Sequence, residues 1–370
     1  KHGLERLEPI EKGWSSDVKY KAADKDGKLC LLRITPPGKD ANRREMFELT
    51  QRTASLGVPM CAPLGFGTCA EGTYSLFEWI DGVELEAALA DLPDVEQYVY
   101  GVQAGEILQK IHSIPAPDNV PDWAERFNAK ASRKIEIFRS CPIQFEGGEA
   151  IIAYIEENRG LLENRPQCFQ HGDYHVGNMM LDRAGKLRII DFDRYDFGDP
   201  WEEFNRIPWC AQASPHFATG LLNGYFGGEP PMEFWRLLAL YLGSNLLSSV
   251  SWAIPFGQGE IDTMLNQAKE VLGGYAGMTR VVPSWYIPGV YVQETDGVPY
   301  RLKEPFDFSF LGAYGRVFKV YDDQDSGNIC FGLEKDGARY FLKFAGAPTV
   351  WGTASPEAAV KSLKVAAPLY

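Results

Sequence analysis

His171-Gly-Asp-Tyr-His-Val-Gly-Asn178 and, one hairpin further on, Ile189-Ile-Asp-Phe-Asp193 are the two stretches that decide the fold. Each of them follows or ends a short apolar strand. The first places a carboxylate, Asp173, and an amide, Asn178, in one loop, and the second brings another carboxylate, Asp191, to the end of a strand. We therefore expect the three side chains to face a single point.

These three residue types suit the transfer of a phosphoryl group. The oxygens of Asn178 and Asp191 are hard ligands, which Mg²⁺ prefers when one or two carboxylates and substrate phosphates complete its coordination. Asp173, left without a metal, can orient or accept the proton of an attacking hydroxyl. The competing interpretation is a polar turn with coincidental acids. Either motif alone leaves it open, but the two motifs at this spacing disfavour it.

The two motifs resemble those of the aminoglycoside phosphotransferase and choline kinase superfamily, and the resemblance covers about residues 5–280. It implies an α+β chain with a two-lobed, protein-kinase-like fold. It also implies that Asp173 is the catalytic base, that Asn178 and Asp191 hold Mg²⁺, and that His171 shapes the catalytic loop. ATP or GTP would then be the phosphate donor.

The segment after the second motif resembles the part of these proteins that meets the acceptor. Gly198-Asp-Pro200 is similar to the segment that follows the metal-binding strand, where Asp199 would be structural. Asp193, Glu202 and Glu203 lie where members of the superfamily tend to contact the acceptor. We expect these three carboxylates to bind it.

The nucleotide end of the site carries weaker motifs. Glu11-Lys-Gly-Trp-Ser-Ser16 resembles the turn that covers the phosphates, with Gly13, Ser15 and Ser16 offering backbone N–H groups, but a surface hairpin explains it as well. Arg33 stands where the superfamily has a lysine that grips the α- and β-phosphates. An arginine can bind phosphate, although its planar fork differs from the point charge of a lysine.

The remaining nucleotide contacts are assigned by the same resemblance. Glu45 is the best candidate to pair with Arg33 from the following helix, and Glu48 is the rival. Ser75-Leu-Phe-Glu-Trp-Ile-Asp-Gly82 resembles the hinge between the lobes. The backbone groups of Glu78 and Ile80 should therefore meet the adenine.

The predicted secondary structure changes along the chain and divides it into four segments. We expect a small nucleotide-binding lobe over 1–80, an α-rich catalytic and acceptor lobe over 81–281, a Pro-punctuated linker over 282–289 and a β-rich unit over 290–370. Within the first lobe, residues 17–34 predict a hairpin that turns at Asp24-Lys-Asp-Gly27, and a helix follows from Asn42 to Leu56.

The C-terminal unit resembles the small lobe of a serine/threonine kinase. Phe310-Leu-Gly-Ala-Tyr-Gly-Arg-Val-Phe-Lys-Val320 is similar to the kinase glycine loop, with Gly312 and Gly315 as its glycines. Lys343 lies in a stretch that resembles the strand of the phosphate-binding lysine, and Glu357 is a candidate partner from the next helix. A plain β-domain with a chance pair of glycines is the competing interpretation.

This unit is incomplete as a kinase, because the sequence stops at Tyr370 before a second catalytic loop could occur. We expect it to be inactive. Either the chain is truncated, or the unit serves docking or self-association.

Composition restricts the class of protein. The 370 residues carry a net charge of −13, nearly all of it in residues 1–285, so a general nucleic-acid surface or anionic-membrane surface is disfavoured. The seven cysteines are scattered without a CxxC pair, which favours reduced thiols in the cytoplasm. The charge-free stretch from Leu237 to Phe256 is long enough to span a bilayer, but its six polar or Pro positions favour a buried helix.

The sequence thus predicts a Mg²⁺-dependent kinase of a small acceptor. An aminoglycoside-like cation is favoured because an acidic site attracts ammonium groups, and a choline-like, amino-alcohol or sugar acceptor is the close alternative. A serine/threonine protein kinase is disfavoured, since Gly198-Asp-Pro-Trp-Glu-Glu203 stands where an activation segment would end in Ala-Pro-Glu. A non-catalytic, pseudokinase-type binding protein is suggested by Arg33 and by the incomplete C-terminal unit.

Overall fold

The structure, a computed structural model, describes residues 3–11, 17–38, 40–324, 326–352 and 355–366. A β-rich N-terminal part is followed by an α-rich middle part and a second β-rich part. This confirms the predicted α+β class with two lobes and an additional C-terminal unit.

The N-terminal part is an antiparallel sheet of five described strands, in the order β1-β2-β3-β5-β4. The strands are β1 (Leu4–Ile10), β2 (Val18–Asp24), β3 (Leu29–Thr35), β4 (Pro63–Cys69) and β5 (Gly72–Glu78), and α1 (Asp40–Ser55) connects β3 to β4. The predicted hairpin is confirmed as β2 and β3. Its turn forms because the Asp24 carboxylate accepts from the backbone N–H groups of Asp26 and Lys28, at 3.0 and 2.9 Å. The strand β1 was not predicted.

The middle part is mostly helical. Its helices are α2 (Leu85–Leu89), α3 (Asp94–His112), α4 (Trp123–Ser140), α5 (Gly148–Asn158), α6 (Ile207–Ala213), α7 (Pro215–Phe226), α8 (Met232–Ala253) and α9 (Gln258–Gly274). Short strands lie between them: β6 (Gly82–Glu84), β7 (Cys168–Gln170), β8 (Met179–Asp182), β9 (Leu187–Ile189) and β10 (Asp196–Gly198). β8 pairs with β6 and β9, and β7 pairs with β10.

The charge-free stretch near residue 240 forms the core helix α8, as predicted. By length and composition the segment Met232–Phe256 could cross a membrane, but 67% of its most apolar window is buried inside the protein. The Tyr241 hydroxyl, in the middle of α8, donates to the Asp199 carboxylate at 2.6 Å, and Arg165 binds the same carboxylate at 2.7 Å. The helix therefore packs against the segment that follows β10. All seven cysteines are unpaired.

The closest helix contact joins α3 to α7 through glycines on both sides. A Cβ atom at Gly101 would lie 2.2 Å from the backbone oxygen of Phe217, and one at Gly220 would lie 2.2 Å from that of Tyr98. Only hydrogen atoms fit between the two backbones at these positions. This contact fixes the helix pair at the centre of the large lobe.

The C-terminal part contains a hairpin, a sheet of three described strands and a helix. These are β11 (Tyr291–Thr295) with β12 (Val298–Leu302), β13 (Arg316–Tyr321), β14 (Asn328–Lys335) and β15 (Ala338–Ala345) in the order β13-β14-β15, and α10 (Pro356–Ala366). The described residues 282–289 contain no helix or strand, and the domain limits drawn above stay predictions.

The expected glycine loop of this part is wrong. Gly312 lies in a 3₁₀ helix, Ser309–Ala313, in the connection from β12 to β13, which belong to different sheets, so it is not in a turn between paired strands. The fully buried Leu311 holds this turn in the C-terminal core, and its carbonyl accepts from the N–H of Gly315 at 3.2 Å. Neighbouring strands of that sheet are joined elsewhere, by 322–327 between β13 and β14 and by 336–337 between β14 and β15.

The other two residues predicted for a second nucleotide site lie on the surface. Lys343 is exposed on β15, and Glu357 is exposed in the first turn of α10. Among the described residues no ion pair joins them. An open cleft of about 700 Å³ lies between β15 and α10 and is lined by Glu357 but not by Lys343.

A buried arginine attaches the C-terminal part to the large lobe. Arg301 on β12 is 1% exposed, and its guanidinium binds Asp322 at 3.0 Å and the His216 imidazole at 2.7 Å. His216, at the start of α7, in turn contacts Asp94, at the start of α3, at 3.1 Å. The ring of Trp351 packs edge-on against His216. The two parts are therefore joined through charged groups.

The glycine contact between α3 and α7 gives the first testable prediction. We expect Gly220→Ala to lower the free energy of unfolding by about 2 to 3 kcal/mol, because the new methyl group meets backbone rather than a movable side chain. Gly259→Ala, in α9 where a Cβ atom meets nothing within 4 Å, is the matched control and should be neutral or stabilising by up to about 1 kcal/mol. Urea unfolding of both variants measures the difference, and equal stabilities would contradict this account of the contact.

Candidate active site

Two small sheets hold the loops that carry the predicted catalytic residues. β7 leads into His171 and β8 follows Asn178, so the first motif spans the gap between different sheets. β9 leads into Asp191, and β10 follows the second motif. The N–H of Ile190 donates to the backbone oxygen of Asn178 at 3.0 Å, which ties the two loops together.

His171 lies behind the loops and positions them. It is fully buried, its Nε2 lies 2.9 Å from the carbonyl oxygen of Ile190, and the N–H of Asp173 donates to its Nδ1 at 3.3 Å. Burial lowers the pKa of His171, which favours the neutral ring that can donate on one side and accept on the other. The predicted role of shaping the loop fits this position.

The neighbouring Gly172 requires a glycine. Its φ is +83°, and a Cβ atom there would lie 1.8 Å from the carbonyl oxygen of Arg194. Its N–H donates to both oxygens of the Glu203 carboxylate, at 3.0 and 3.2 Å. Burial alone would raise the pKa of Glu203, but the His112 imidazole on its other side holds that pKa below its usual range.

This position corrects the acceptor role expected for Glu203 and Glu202. Glu203 is 2% exposed and supports the catalytic loop from inside the protein. Glu202 is 8% exposed and its carboxylate accepts from the Lys130 ammonium at 3.1 Å. Both side chains begin a 3₁₀ helix, Glu202–Arg206, whose acidic first turn faces inward, so neither is open to a substrate.

Asp173 is surrounded by Asn178, Arg206 and His175. Asn178 donates its amide N–H to the backbone oxygen of Asp173 at 2.8 Å and to its carboxylate at 3.3 Å. Arg206 Nε lies 3.2 Å from the carboxylate and His175 Nε2 lies 3.7 Å from it. Burial alone would raise the pKa of Asp173, but His175, Arg206 and Arg194 hold that pKa well below its usual range. The carboxylate is therefore ionised at neutral pH.

Asp191 projects from an uncommon backbone conformation. Its φ is +64°, in the left-handed region that aspartate tolerates better than most residues, and 43% of its side chain is exposed. Its carboxylate lies 3.7 Å from Arg33. Since the amide nitrogen of Asn178 is held by Asp173, its amide oxygen is the atom that remains for a cation.

The oxygen atoms of Asn178 and Asp191 fit a hard cation that is also coordinated by a substrate. Asn178 and Asp191 supply oxygen ligands, the type that Mg²⁺ prefers. Among the described residues no group of three or more His, Cys, Asp or Glu could hold a metal ion by itself. A cation at this point would therefore take further oxygens from phosphates or water, as Mg²⁺ does in phosphoryl-transfer sites.

Arg33, which contacts Asp191, also belongs to a network of four charged residues. This buried quartet consists of Arg33 on β3, Arg43 on α1, Asp17 before β2 and Asp193 after β9. Asp17 binds Arg33 at 2.5 Å and Arg43 at 2.9 Å, and Asp193 binds Arg43 at 2.8 Å and also contacts Arg33. The Asp17 side chain is 0% exposed.

The quartet changes the expected partners of Arg33 and the expected role of Asp193. The structure brings Asp17, Asp191 and Asp193 to Arg33, whereas Glu45 is exposed on α1 and its carboxylate meets the Tyr195 hydroxyl. Asp193 is bound by two arginines rather than open to an acceptor.

The other residues predicted for the nucleotide are only partly described. Gly13, Ser15 and Ser16 lie outside the described residues. Glu78 uses its N–H for the carbonyl of Ala62 at 2.8 Å and its carboxylate for Arg188 at 2.6 Å. Ile80 is 8% exposed and packs in one hydrophobic cluster with Met46, Phe47, Cys61 and Phe77.

A polar cleft of about 500 Å³ lies beside the catalytic loop, between α6 and α9. It is lined by Trp209, Gln212, Thr263, Asn266, Gln267 and Glu270. Trp209 connects it to the loop, because its ring packs against the His175 ring at 6.0 Å and lies 5.0 Å from the Arg206 guanidinium. Both of these residues contact Asp173.

Sequence reasoning missed Asp17, Arg43 and Arg206. Arg43 carried a readable signal, because it shares the buried face of α1 with Met46, Phe47 and Thr50 at helical spacing. A cation on a buried face requires carboxylates from other elements. Nothing in the sequence indicates which carboxylates these are.

Comparisons with known proteins identify the family and the fold. Residues 6–235 match the profile of the phosphotransferase enzyme family, APH. No curated protein matches the chain. Three solved structures are similar to this chain. A choline/ethanolamine kinase family protein from Mesorhizobium loti has 17% identity and a TM-score of 0.54, and the match covers 75% of this chain and 91% of that chain. A thermostable mutant of aminoglycoside phosphotransferase APH(4)-Ia has 18% identity and a TM-score of 0.52, with coverage of 74% and 96%, and the amicoumacin kinase hAmiN has 13% identity and a TM-score of 0.54, with coverage of 76% and 92%. At these identities they show a shared fold.

The buried quartet predicts that replacing one of its carboxylates by an amide strongly lowers stability. We expect Asp17→Asn to lower the free energy of unfolding by about 3 kcal/mol, because two buried arginines then share one carboxylate. Asp81→Asn is the matched control, since Asp81 binds Arg183 at a similar 2.7 Å but both side chains are exposed, and it should cost less than about 1 kcal/mol. Similar losses in chemical denaturation would show that burial of the pair is unimportant.

The buried His171 predicts a pH dependence of stability. Its pKa in the folded protein lies below that of an unfolded histidine, so the unfolded chain binds more protons below about pH 6.5. Stability from this group is complete above that pH and should be lost progressively as the pH falls below it. His171→Gln, which keeps a donor for Ile190, should show a smaller slope of unfolding free energy against pH. An unchanged slope would contradict the neutral, buried ring.

Proposed function

Because the chain belongs to the phosphotransferase enzyme family, we propose that it transfers the γ-phosphate of ATP or GTP to a hydroxyl of a small, cationic acceptor. One observation carries the proposal: the ionised Asp173 carboxylate is held by Asn178, and its neighbours Arg206 and His175 both contact Trp209, which lines the polar cleft. These contacts support a proton acceptor close to a substrate-sized space, on the loop that is tied by a backbone hydrogen bond to the strand end of Asp191.

Asp173 acts on the acceptor hydroxyl. As a carboxylate with a lowered pKa it is a weak base, so it orients the hydroxyl first and takes its proton as the bond to phosphorus forms. Arg206 and His175 fix the carboxylate and keep it charged. His171 and Glu203 hold the loop backbone behind it.

Asn178 and Asp191 would hold Mg²⁺ between the loop and the donor. When bound, the cation would neutralise the charge of the β- and γ-phosphates. The partly exposed Asp191 carboxylate and the amide oxygen of Asn178 are the protein groups that remain for it. The adenine or guanine base would lie near Glu78 and Ile80, where β5 ends.

The cleft beside Trp209 is the proposed acceptor site, in place of Glu202 and Glu203. Three carboxamides and a threonine hydroxyl among its lining residues suit an acceptor rich in hydroxyl groups, and Glu270 offers a carboxylate for an ammonium group. Trp209 is the single aromatic residue among the six, whereas quaternary ammonium groups are typically bound by several aromatic faces. The lining therefore favours an aminated polyol such as an aminoglycoside over choline.

An acceptor screen tests this assignment. The protein with Mg²⁺ and ATP or GTP is incubated with aminoglycosides, choline, homoserine and sugars, and the release of ADP or GDP is measured. We expect an aminated polyol to raise nucleotide consumption above the basal rate. If no compound does so and neither nucleotide binds, the proposed activity is wrong.

The catalytic role of Asp173 has its own test. With an active acceptor, Asp173→Asn should reduce kcat by about 10²- to 10⁴-fold, the usual contribution of a general base. Asp196→Asn is the matched control, because Asp196 is an exposed aspartate that pairs with Arg126 on α4. Phosphoryl transfer by Asp173→Asn at the rate of the control would contradict the mechanism.

A further inference from the structure

Lys19 lies directly opposite Arg33, on the face of the N-terminal sheet from which Arg33 contacts Asp191. In the antiparallel pairing of β2 with β3, Lys19 is the register partner of Arg33. Residues directly opposite in such a pair point to the same face of the sheet. Arg33 contacts Asp191 from that face, so Lys19 lies on the same side of the sheet as Asp191. The next residue, Tyr20, packs in the cluster of Ala22 and Leu76 on the other face, as the alternation requires.

Arg33 has its charge balanced inside the protein. Its side chain is 7% exposed, and together with Arg43 it faces the two carboxylates of Asp17 and Asp193. The buried quartet therefore carries two positive and two negative charges. A polyphosphate that approached Arg33 would have to displace a carboxylate from a buried ion pair, which is costly.

Lys19 is a cation of this face that lies outside the buried quartet. It is half-buried, and within the ranges that the structure describes no carboxylate lies within ion-pair distance of it. Burial and the neighbouring Arg33 lower the pKa of Lys19, and Asp191 opposes this. The ammonium group is therefore electrostatically coupled both to the quartet and to the proposed metal ligand.

We propose that Lys19, not Arg33, binds the phosphates of the nucleotide donor, and that Arg33 is a positioning residue that holds Asp17 and Asp193. This inference rests on the proposed function, because it assigns the donor contact of that same site. An ammonium group is a compact charge with three donors, which suits a phosphate without the fixed geometry of a guanidinium. Lys19 on β2 then replaces the phosphate-binding lysine that is absent at position 33 on β3.

Calorimetric binding of ADP with Mg²⁺ and the basal hydrolysis of ATP test the inference without an identified acceptor. We expect Lys19→Met to weaken ADP binding by about 10- to 100-fold, the range for one charge-assisted hydrogen-bonding group, with an unchanged Tm. Lys19→Arg should retain part of the affinity. Lys25→Met, exposed in the turn of the same hairpin, is the matched control and should bind ADP like the wild type.

Arg33→Met separates the two cations. We expect it to lower the Tm, because Asp17 and Asp193 lose a buried partner, and the fraction that remains folded should still bind ADP. The inference is overturned if Lys19→Met binds ADP like the control, or if Arg33→Met keeps its Tm and loses ADP binding. If the wild type itself binds neither ADP nor GDP with Mg²⁺, the proposed function fails instead.

Discussion

The buried quartet of Asp17, Arg33, Arg43 and Asp193 is the interaction on which the geometry of the cleft depends. Three of its members belong to the N-terminal sheet and its helix, and Asp193 belongs to the segment after β9. Charges in such a poorly solvated position are tolerated only when each meets its opposite. The contacts of Asp193 with both arginines therefore tie the segment after β9 to the N-terminal sheet and α1.

The catalytic loop is stabilised in a different way, by neutral and backbone groups behind it. The His171 ring joins the two loops, and the Gly172 N–H binds the Glu203 carboxylate. None of these contacts faces the cleft, and the residues that do, Asp173 and Asp191, are partly exposed. The groups that hold the shape of the loop are thus different from the partly exposed groups proposed to meet substrates.

The sequence predicted the loop well because its information is local. The spacing from Asp173 to Asn178 lies in one loop, and Asp191 follows one hairpin later, so short-range geometry brings them together. The fold class followed from the same motifs. The α3 and α7 glycines, in contrast, were not recognised, because a glycine in a helix has several explanations until its neighbour is known.

The predictions that failed depended on contacts between distant segments. Glu203 was assigned to the acceptor because it follows the metal-binding motif, but the turn of its 3₁₀ helix points it inward to Gly172. Arg33 was expected to meet a glutamate of the next helix, while its carboxylates come from residue 17 and residue 193. Gly312 matched a motif whose strand context is absent, since buried Leu311 makes a helical turn there.

The left-handed backbone of Asp191 has a consequence for the divergence of this chain. At a φ of +64° the backbone accepts Asp, Asn or Gly far more readily than a β-branched or bulky residue. The turn therefore constrains this position independently of the proposed ligand role of Asp191. A chain without that role would still need a residue that tolerates the left-handed conformation, and Asn or Gly would preserve the turn there.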